Sequence, residues 1–258
     1  MSSIDARIRP LLARLARAGD ATSTASPAAT CAAIERHVAL ATAPGSRAPG
    51  ALRLSHRGEF NLSSDRPAWR PFESRQWTTT RRPGFVWSAR IGTSPMPIDV
   101  IDAYVDGDGL LDARLWGMLP LSHAEGTREM ARGELMRWLA EAVHAPWTLT
   151  ACPGLRWQAV DARHADATLV DSPSSATLRF EFGDDGLIAA VRSEARPRLR
   201  GRATVETPWA GRWRDYAWRD GALVPTRGEV EWIVDGRAQP YWRGELVACD
   251  RLELPDLA

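Results

Sequence analysis

Four Asp-Gly pairs, Asp106-Gly107, Asp185-Gly186, Asp220-Gly221 and Asp235-Gly236, constrain this chain more than any other feature. The pair supplies the positive φ that tight hairpins need, at little steric cost. Each stands among segments of strand character: Ile98 to Val105 with Leu110 to Trp116, Ala176 to Phe182 with Leu187 to Arg196, then Trp213 to Trp218, Glu229 to Val234 and Tyr241 to Cys249. Parallel strands need long crossovers, so repeated short turns predict an antiparallel meander rather than βαβ units. One helix interrupts it. Leu135, Trp138, Leu139 and Ala142 recur at helical spacing over Arg128 to Val143, with Thr127 as cap and Pro146 beyond the end.

The expected fold is mainly β (α+β), a curved antiparallel meander or half-barrel with one internal helix and N-terminal helices. Residues 1–49 read as those helices and a linker, and 50–258 as the β domain with helix 128–143. Ile4, Ile8, Leu11 and Leu15 form the apolar side of a first, arginine-rich helix that docks on the domain. Ser26 followed by Pro27 has the form of a helix start, with a helix running to about Leu40. Thr42 to Pro49 reads as the linker loop.

Aromatic placement carries the argument toward function, because the chain holds 12 tryptophans in 258 residues. Strict alternation sends Trp213 to the opposite side from Tyr216 and Trp218, and makes Tyr241 and Trp242 diverge. A meander with one wet face should keep its rings on one side. Rings on both sides imply a second face that is covered by helices, curls around a cavity or meets a partner. The expectation is a strongly curved sheet with an aromatic and polar pocket on its concave side.

Several chemistries are excluded. All 33 basic residues are arginine, which removes Schiff-base lysines, a P-loop lysine and a lysine general base. There is no G-x-S-x-G, H-E-x-x-H or complete G-x-G-x-x-G motif, and the five histidines lack metal-ligand spacing. Asp106-Gly-Asp108-Gly109 has half of a calcium loop but lacks its remaining ligands, and reads as a turn. No metal and no cofactor are expected. A net charge of +1 gives no reason to expect nucleic acid as a partner. No apolar run is long enough to span a bilayer. Three scattered cysteines without C-x-x-C favour reduced thiols and a cytoplasmic location.

Three constellations remain. Asp102 and Tyr104, two apart on one strand face, could act as base and hydroxyl donor, or form an ordinary polar face. Glu134, Arg137 and Glu141 are neighbours on the helix, and matter only if the helix lies inside the sheet's curve. Arg192, Arg196, Arg198, Arg200 and Arg202 share one face if extended, with Glu194 and Glu206 as available partners. The candidate catalytic residues are Asp102, Tyr104 and Glu141. The candidate ligand-binding residues are Arg137, Trp138, Tyr216, Trp218, Glu229, Trp232, Tyr241 and Arg243.

In chain order, Trp69-x-Pro71-Phe72, Pro83-Gly-Phe-Val-Trp87, Asp102-Ala-Tyr104-x-Asp106-Gly-x-Gly109, Gly133-Glu-Leu-x-Arg137-Trp-Leu-Ala-Glu141-Ala and Phe180-Glu-Phe182 form a pattern. It continues with Pro208-Trp209-x-Gly211, Asp215-Tyr216, Val224-Pro225-x-x-Gly228-Glu229-Val-x-Trp232 and Tyr241-Trp242-Arg243-Gly244. This pattern resembles a bacterial family of unknown function, over about Gly50 to Val247. That family is remotely similar to the half-barrel of lipoprotein-localisation factors, which wraps a sheet around helices and holds acyl chains. It is also similar to a cofactor-independent enzyme of indole-pigment biosynthesis. The resemblance therefore implies either a carrier or a catalyst. The expected function is binding of a hydrophobic, amphipathic or aromatic small molecule in the concave face. The alternatives are a cofactor-independent isomerase, cyclase or lyase in the same pocket, and a module whose aromatic face meets a protein or membrane.

Overall fold

The computed structural model describes residues 3–20, 25–26, 28–63, 67–201 and 203–257. Thirteen antiparallel strands form one sheet. They are β1 Ala51–Asn61, β2 Trp69–Thr79, β3 Phe85–Ile91, β4 Ile98–Val105, β5 Asp108–Leu115, β6 Leu119–Glu125 and β7 Leu155–Ala159. The remainder are β8 His164–Asp171, β9 Ser174–Phe182, β10 Ile188–Arg200, β11 Ala203–Arg219, β12 Ala222–Val234 and β13 Arg237–Leu252. Their spatial order is β6-β5-β4-β3-β2-β1-β13-β12-β11-β10-β9-β8-β7. Two meanders thus join where β1 pairs with β13. Three Asp-Gly pairs carry positive φ at both residues, at Asp106-Gly107, Asp220-Gly221 and Asp235-Gly236. At the fourth only Gly186 does, and the Asp185 carboxylate instead accepts from the Leu187 amide.

The sheet curls strongly. β4 and β8 are nine strands apart in the order, which in a flat sheet would separate them by about 43 Å. Yet the Tyr104 hydroxyl of β4 donates to Asp171 at the end of β8 at 2.7 Å. Helix α1 (Ser3–Asp20) lies on the outer face, where Ile4, Ile8 and Leu15 are buried against Trp77, Val86, Ile101 and Ala103. Helix α2 (Ala32–Ala41) buries Ile34 and His37 against the inner core. It starts at Ala32, with Cys31 at the cap position. Ser26 is therefore not its cap: Ala29 is extended and bridges Arg156, and the Ser26 carbonyl accepts from Gly154. Pro27 lies outside the described residues.

Helix α3 (Arg128–Glu141) connects the two edge strands across the concave side, followed by a 3-10 turn at Ala142–His144 and a short helix α4 (Thr148–Ala151). Thr127 caps α3 by accepting from the Met130 amide. Leu135, Trp138 and Leu139 pack among Phe85, Trp87, Tyr104, Phe180 and Val191. The outer face elsewhere carries cross-strand ion pairs at matched register: Arg53–Asp250, Arg57–Glu245, Arg90–Asp99, Arg179–Asp166 and Arg243–Glu229. Exposed pairs of this kind contribute at most a few tenths of a kcal/mol to about 1 kcal/mol each, and keep that face wet. No helix among the described residues is long and apolar enough to cross a membrane.

Strict alternation fails at several places, and three of the failures turn side chains inward. In β13 an extra residue at Tyr241 lies opposite the step from Val230 to Glu231, so Tyr241 and Trp242 both reach the concave side. In β11, Asp215 has φ 59, and beyond it Tyr216 packs on the same core as Trp213. The expected divergence of those pairs is thus corrected. In β10 an extra residue between Ser193 and Arg196 changes the inward set from odd to even positions, so Arg192 stays outside with Glu194 while Arg196 is buried. A β-bulge re-aims side chains in this way. The expected single arginine stripe is therefore split, and Arg202 lies outside the described residues.

Gly58, Gly244 and Gly228 pair side by side across β1, β13 and β12. The Trp242 ring folds over Gly244, where a Cβ would meet it at 2.2 Å, and the Trp213 ring over Gly228, where it would be at 2.5 Å. Gly244→Ala should therefore overpack this floor and cost about 1–3 kcal/mol. Gly133 in α3 is the contrast, since a Cβ there meets only Pro197, at 3.8 Å. Gly133→Ala should stabilise by about 0.5–1 kcal/mol through helix propensity. Urea unfolding of the two variants checks the opposite signs.

Candidate functional site

Between α3 and the curled sheet lies a small chamber of about 110 Å³. Its walls come from β1 (Leu54, His56, Phe60), β2 (Gln76), β3 (Trp87), β4 (Asp102), β10 to β13 (Arg196, Trp209, Trp213, Val230, Tyr241, Trp242) and the helix (Arg137, Glu141, His144). Phe60, Asp102, Arg196 and Tyr241 also line a wide cleft of about 1400 Å³ on the same side of the sheet. Leu62, Leu111, Leu121, Leu199 and Trp232 give that cleft an apolar part, set among charged residues such as Glu125, Glu129, Glu134, Arg198 and Arg237.

Arg137 organises the chamber. Its Nη1 donates to Asp102 at 2.7 Å, its Nε to Glu141 at 2.9 Å and its Nη2 to Gln76 at 3.1 Å, while Gln76 donates to Glu141 at 2.6 Å. The guanidinium carbon lies 4.8 Å from the Phe85 ring centroid and 4.9 Å from that of Trp87. Burial alone would raise Glu141, but the Arg137 charge and the bonds from Gln76 and Arg137 outweigh it and hold that carboxyl below its usual value. Asp102 shifts the other way: burial raises it, against the opposing charges of Arg137 and Arg196. Glu134, one helical turn from Arg137 and lining the cleft, is pushed up to about 8 by burial and then by Asp102. Its Oε2 makes no hydrogen bond. His56 is lowered to about 3 by burial and by neighbouring His144, and burial lowers His144 as well.

A second arginine borders both spaces. Arg196 is 7% exposed and donates to the Tyr241 hydroxyl and the Gly133 carbonyl, each at 3.2 Å. Trp209 donates to the same Tyr241 oxygen at 3.0 Å. Tyr241 in turn stacks on Trp232, with ring centroids 5.7 Å apart.

Of the sequence candidates, Asp102, Arg137, Glu141 and Tyr241 meet in the chamber, and Trp232 and Arg243 line the adjoining cleft. The others lie elsewhere. Tyr104 is fully buried, and its hydroxyl is committed to Asp171 rather than placed beside Asp102. Trp138 packs in the core and donates to the Thr79 carbonyl. Tyr216 donates to the Ile188 carbonyl, and Trp218 is 53% exposed. Glu229 lies on the outer face, 2.6 Å from Arg243, whose guanidinium is over Trp69 at the cleft rim. Sequence reasoning passed over Gln76, His56, His144 and Trp209. It had Glu134 as a helix neighbour and Arg196 in the stripe, without assigning either to a pocket.

Fold and site together define a curled-sheet protein with a partly apolar cleft that ends in a charged, aromatic chamber. The chain belongs to the family of unknown function DUF6920, whose model matches residues 31–250. No curated protein matches it. Among solved structures it is similar to a LolA superfamily protein from Nitrosomonas europaea, at TM-score 0.44 and 10% identity over 87% of this chain and 94% of that one. It is also similar to a putative outer membrane lipoprotein-sorting protein domain from Vibrio parahaemolyticus, at TM-score 0.43 and 7% identity over 81% and 89%. Both belong to the group to which the sequence resemblance pointed.

The raised Glu134 carboxyl has a consequence for stability. An unfolded glutamate ionises near pH 4.5, the folded one near 8, so between these values the native state holds the extra proton and stability falls as pH rises. Glu134→Gln removes that loss. Relative to the native chain, the variant should gain stability steadily from about pH 4.5 to about 8 and level off above, in urea titrations run across that range.

Proposed function

We propose that this protein binds an amphipathic small molecule, with its apolar part along the cleft and its polar end at the chamber mouth. One observation carries the reading: the cleft and the chamber share Phe60, Asp102, Arg196 and Tyr241, so an apolar surface runs directly into a buried polar cluster. Ligand pockets combine apolar walls with placed polar groups, and here both kinds of surface are present, with more charge than is usual. The chamber's 110 Å³ suits a head group, whereas whole ligands occupy pockets of roughly 300–1,000 Å³. Arg137, Glu141 and Tyr241 serve as the polar end and Trp232 as an apolar wall. Cytoplasm is the proposed compartment, because Cys31, Cys152 and Cys249 are all free thiols.

Native mass spectrometry of detergent-free protein and tryptophan-fluorescence titration with a panel of dodecyl amphiphiles test this. Saturable binding is expected, weakened about tenfold by Leu121→Arg, which sets a charge on the exposed cleft wall. No binding by any member of the panel refutes the proposal.

A second reading rests on the raised carboxyls of Asp102 and Glu134 beside the chamber, the mark of a tuned acid or base. In it the protein is a cofactor-independent isomerase, cyclase or lyase, with Asp102 and Glu134 exchanging protons with the bound molecule while Arg137 and Glu141 hold it. Asp102→Asn should then alter the metabolite profile of producing cells while leaving amphiphile binding within about threefold of the native chain. An unchanged profile removes the catalytic reading.

A further inference from the structure

Arg196, buried, and Arg198, half-buried, line the cleft without a carboxylate at ion-pair distance among the described residues, and the carboxyls of Asp102 and Glu134 interact with Arg196 only at longer range. Both arginines retain unbonded nitrogens, Nε of Arg196 and Nη1 of Arg198. The two carboxylates that the sequence offered as partners are taken elsewhere, Glu194 by Arg192 and Glu206 by Arg132. Asp102 is bound by Arg137, and Glu134 keeps its proton through neutral pH. Both guanidinium carbons lie against Trp232, at 5.4 Å for Arg196 and 5.1 Å for Arg198, and Arg196 is also 4.9 Å from Trp209.

This arrangement is built and costly. The bulge in β10 brings Arg196 inward, and Arg198 follows two residues later. Burial, followed by the charge of Arg200, lowers Arg198. A buried cation is ordinarily paired with an anion or neutralised, and here the aromatic rings supply only weak compensation. The unbonded nitrogens of Arg196 and Arg198 are donors left for a partner of their own. A cluster with spare donors and spare positive charge is complementary to an acceptor-rich anion. Arginine's planar fork fits an oxyanion in particular, since carboxylate and phosphate can take two parallel hydrogen bonds.

We propose that Arg196 and Arg198 form an oxyanion site at the inner end of the cleft, which receives the carboxylate or phosphate head of an amphiphile. This rests on the binding reading above and gives the ligand its charge. Arg196 provides the buried contact at the boundary with the chamber, and Arg198 the more accessible one in the cleft wall.

The test compares dodecanoate, dodecyl phosphate, dodecanol and dodecylamine by tryptophan-fluorescence titration of the full chain and of Arg198→Gln and Arg196→Lys. Dodecanoate, dodecyl phosphate or both should bind at least about tenfold more tightly than dodecanol, and dodecylamine more weakly than dodecanol. Whichever anion binds more tightly identifies the head group. Arg198→Gln should shrink the anion-to-alcohol ratio about tenfold with dodecanol affinity unchanged, a selectivity that general loss of structure would not produce. Arg196→Lys keeps the charge but loses the fork, and should reduce anion binding alone. If dodecanol binds as tightly as both anions, the oxyanion site is refuted and the binding reading stands. If none of the four binds, both fall.

Discussion

Arg137 is the point on which the inner architecture turns. It reaches from the helix to Asp102 on β4 and Gln76 on β2 while pairing with Glu141 one turn along its own helix. Bringing such ions out of water costs several kcal/mol each, and only near-complete hydrogen bonding offsets it. The two partners on the sheet, Asp102 and Gln76, therefore favour one height of the helix in the curl, the height at which Arg137 reaches both. That placement also sets Glu134 beside Arg137 and brings the Gly133 carbonyl to Arg196. Helix position and chamber wall thus meet at one buried cation.

The sheet contributes its irregularities. A regular strand sends half its side chains to each face: Trp209 and Trp213 of β11 share a face on that rule, but adjacent Tyr241 and Trp242 of β13 could not both join them. The extra residue at Tyr241 puts two adjacent rings on one side, and the left-handed Asp215 draws Tyr216 to the core. The glycine row Gly58–Gly244–Gly228 then gives the Trp242 and Trp213 rings room to lie flat against the backbone. Bulges also increase local twist, so the devices that aim these side chains help to bend the sheet that encloses them.

Much of the fold was legible because it is specified locally. Asp-Gly turns, strand composition and the helical spacing of Leu135, Trp138 and Leu139 each act within a few residues, and they place strands and α3 nearly where they stand. The site was legible where geometry follows from spacing, as with the i, i+4 pair Arg137 and Glu141. It was illegible where a bulge intervened. Period-two reasoning put Arg196 on one face with Arg192 and sent Tyr241 and Trp242 apart, and a single inserted residue reverses either conclusion. Tyr104 failed for another reason: its partner Asp171 is 67 residues away and becomes a neighbour only when the sheet curls. The start of α2 was misplaced because Ser26 and Pro27 have the right local chemistry, while the pairing of Ala29 with Arg156 holds that stretch extended.

The polar cluster is hard to account for by stability. Buried ion pairs can often be replaced by apolar side chains with no loss, or with a gain. Here the cost extends past the Arg137 network to an unbonded Glu134 oxygen and two arginines without an ion pair among the described residues, all bordering the same cleft. Local rules are most often broken at functional sites, where the compensation comes from what binds. A ligand anion on Arg196 and Arg198 would complete their hydrogen bonds, and its charge would hold the proton on Glu134 more firmly. Carrier and catalyst differ in what happens after that. A proton held next to a bound head group is inert if the ligand offers no reactive centre within reach, and is a general acid if it does. The same cleft therefore supports either role, and the chemistry of the bound molecule rather than the fold decides between them.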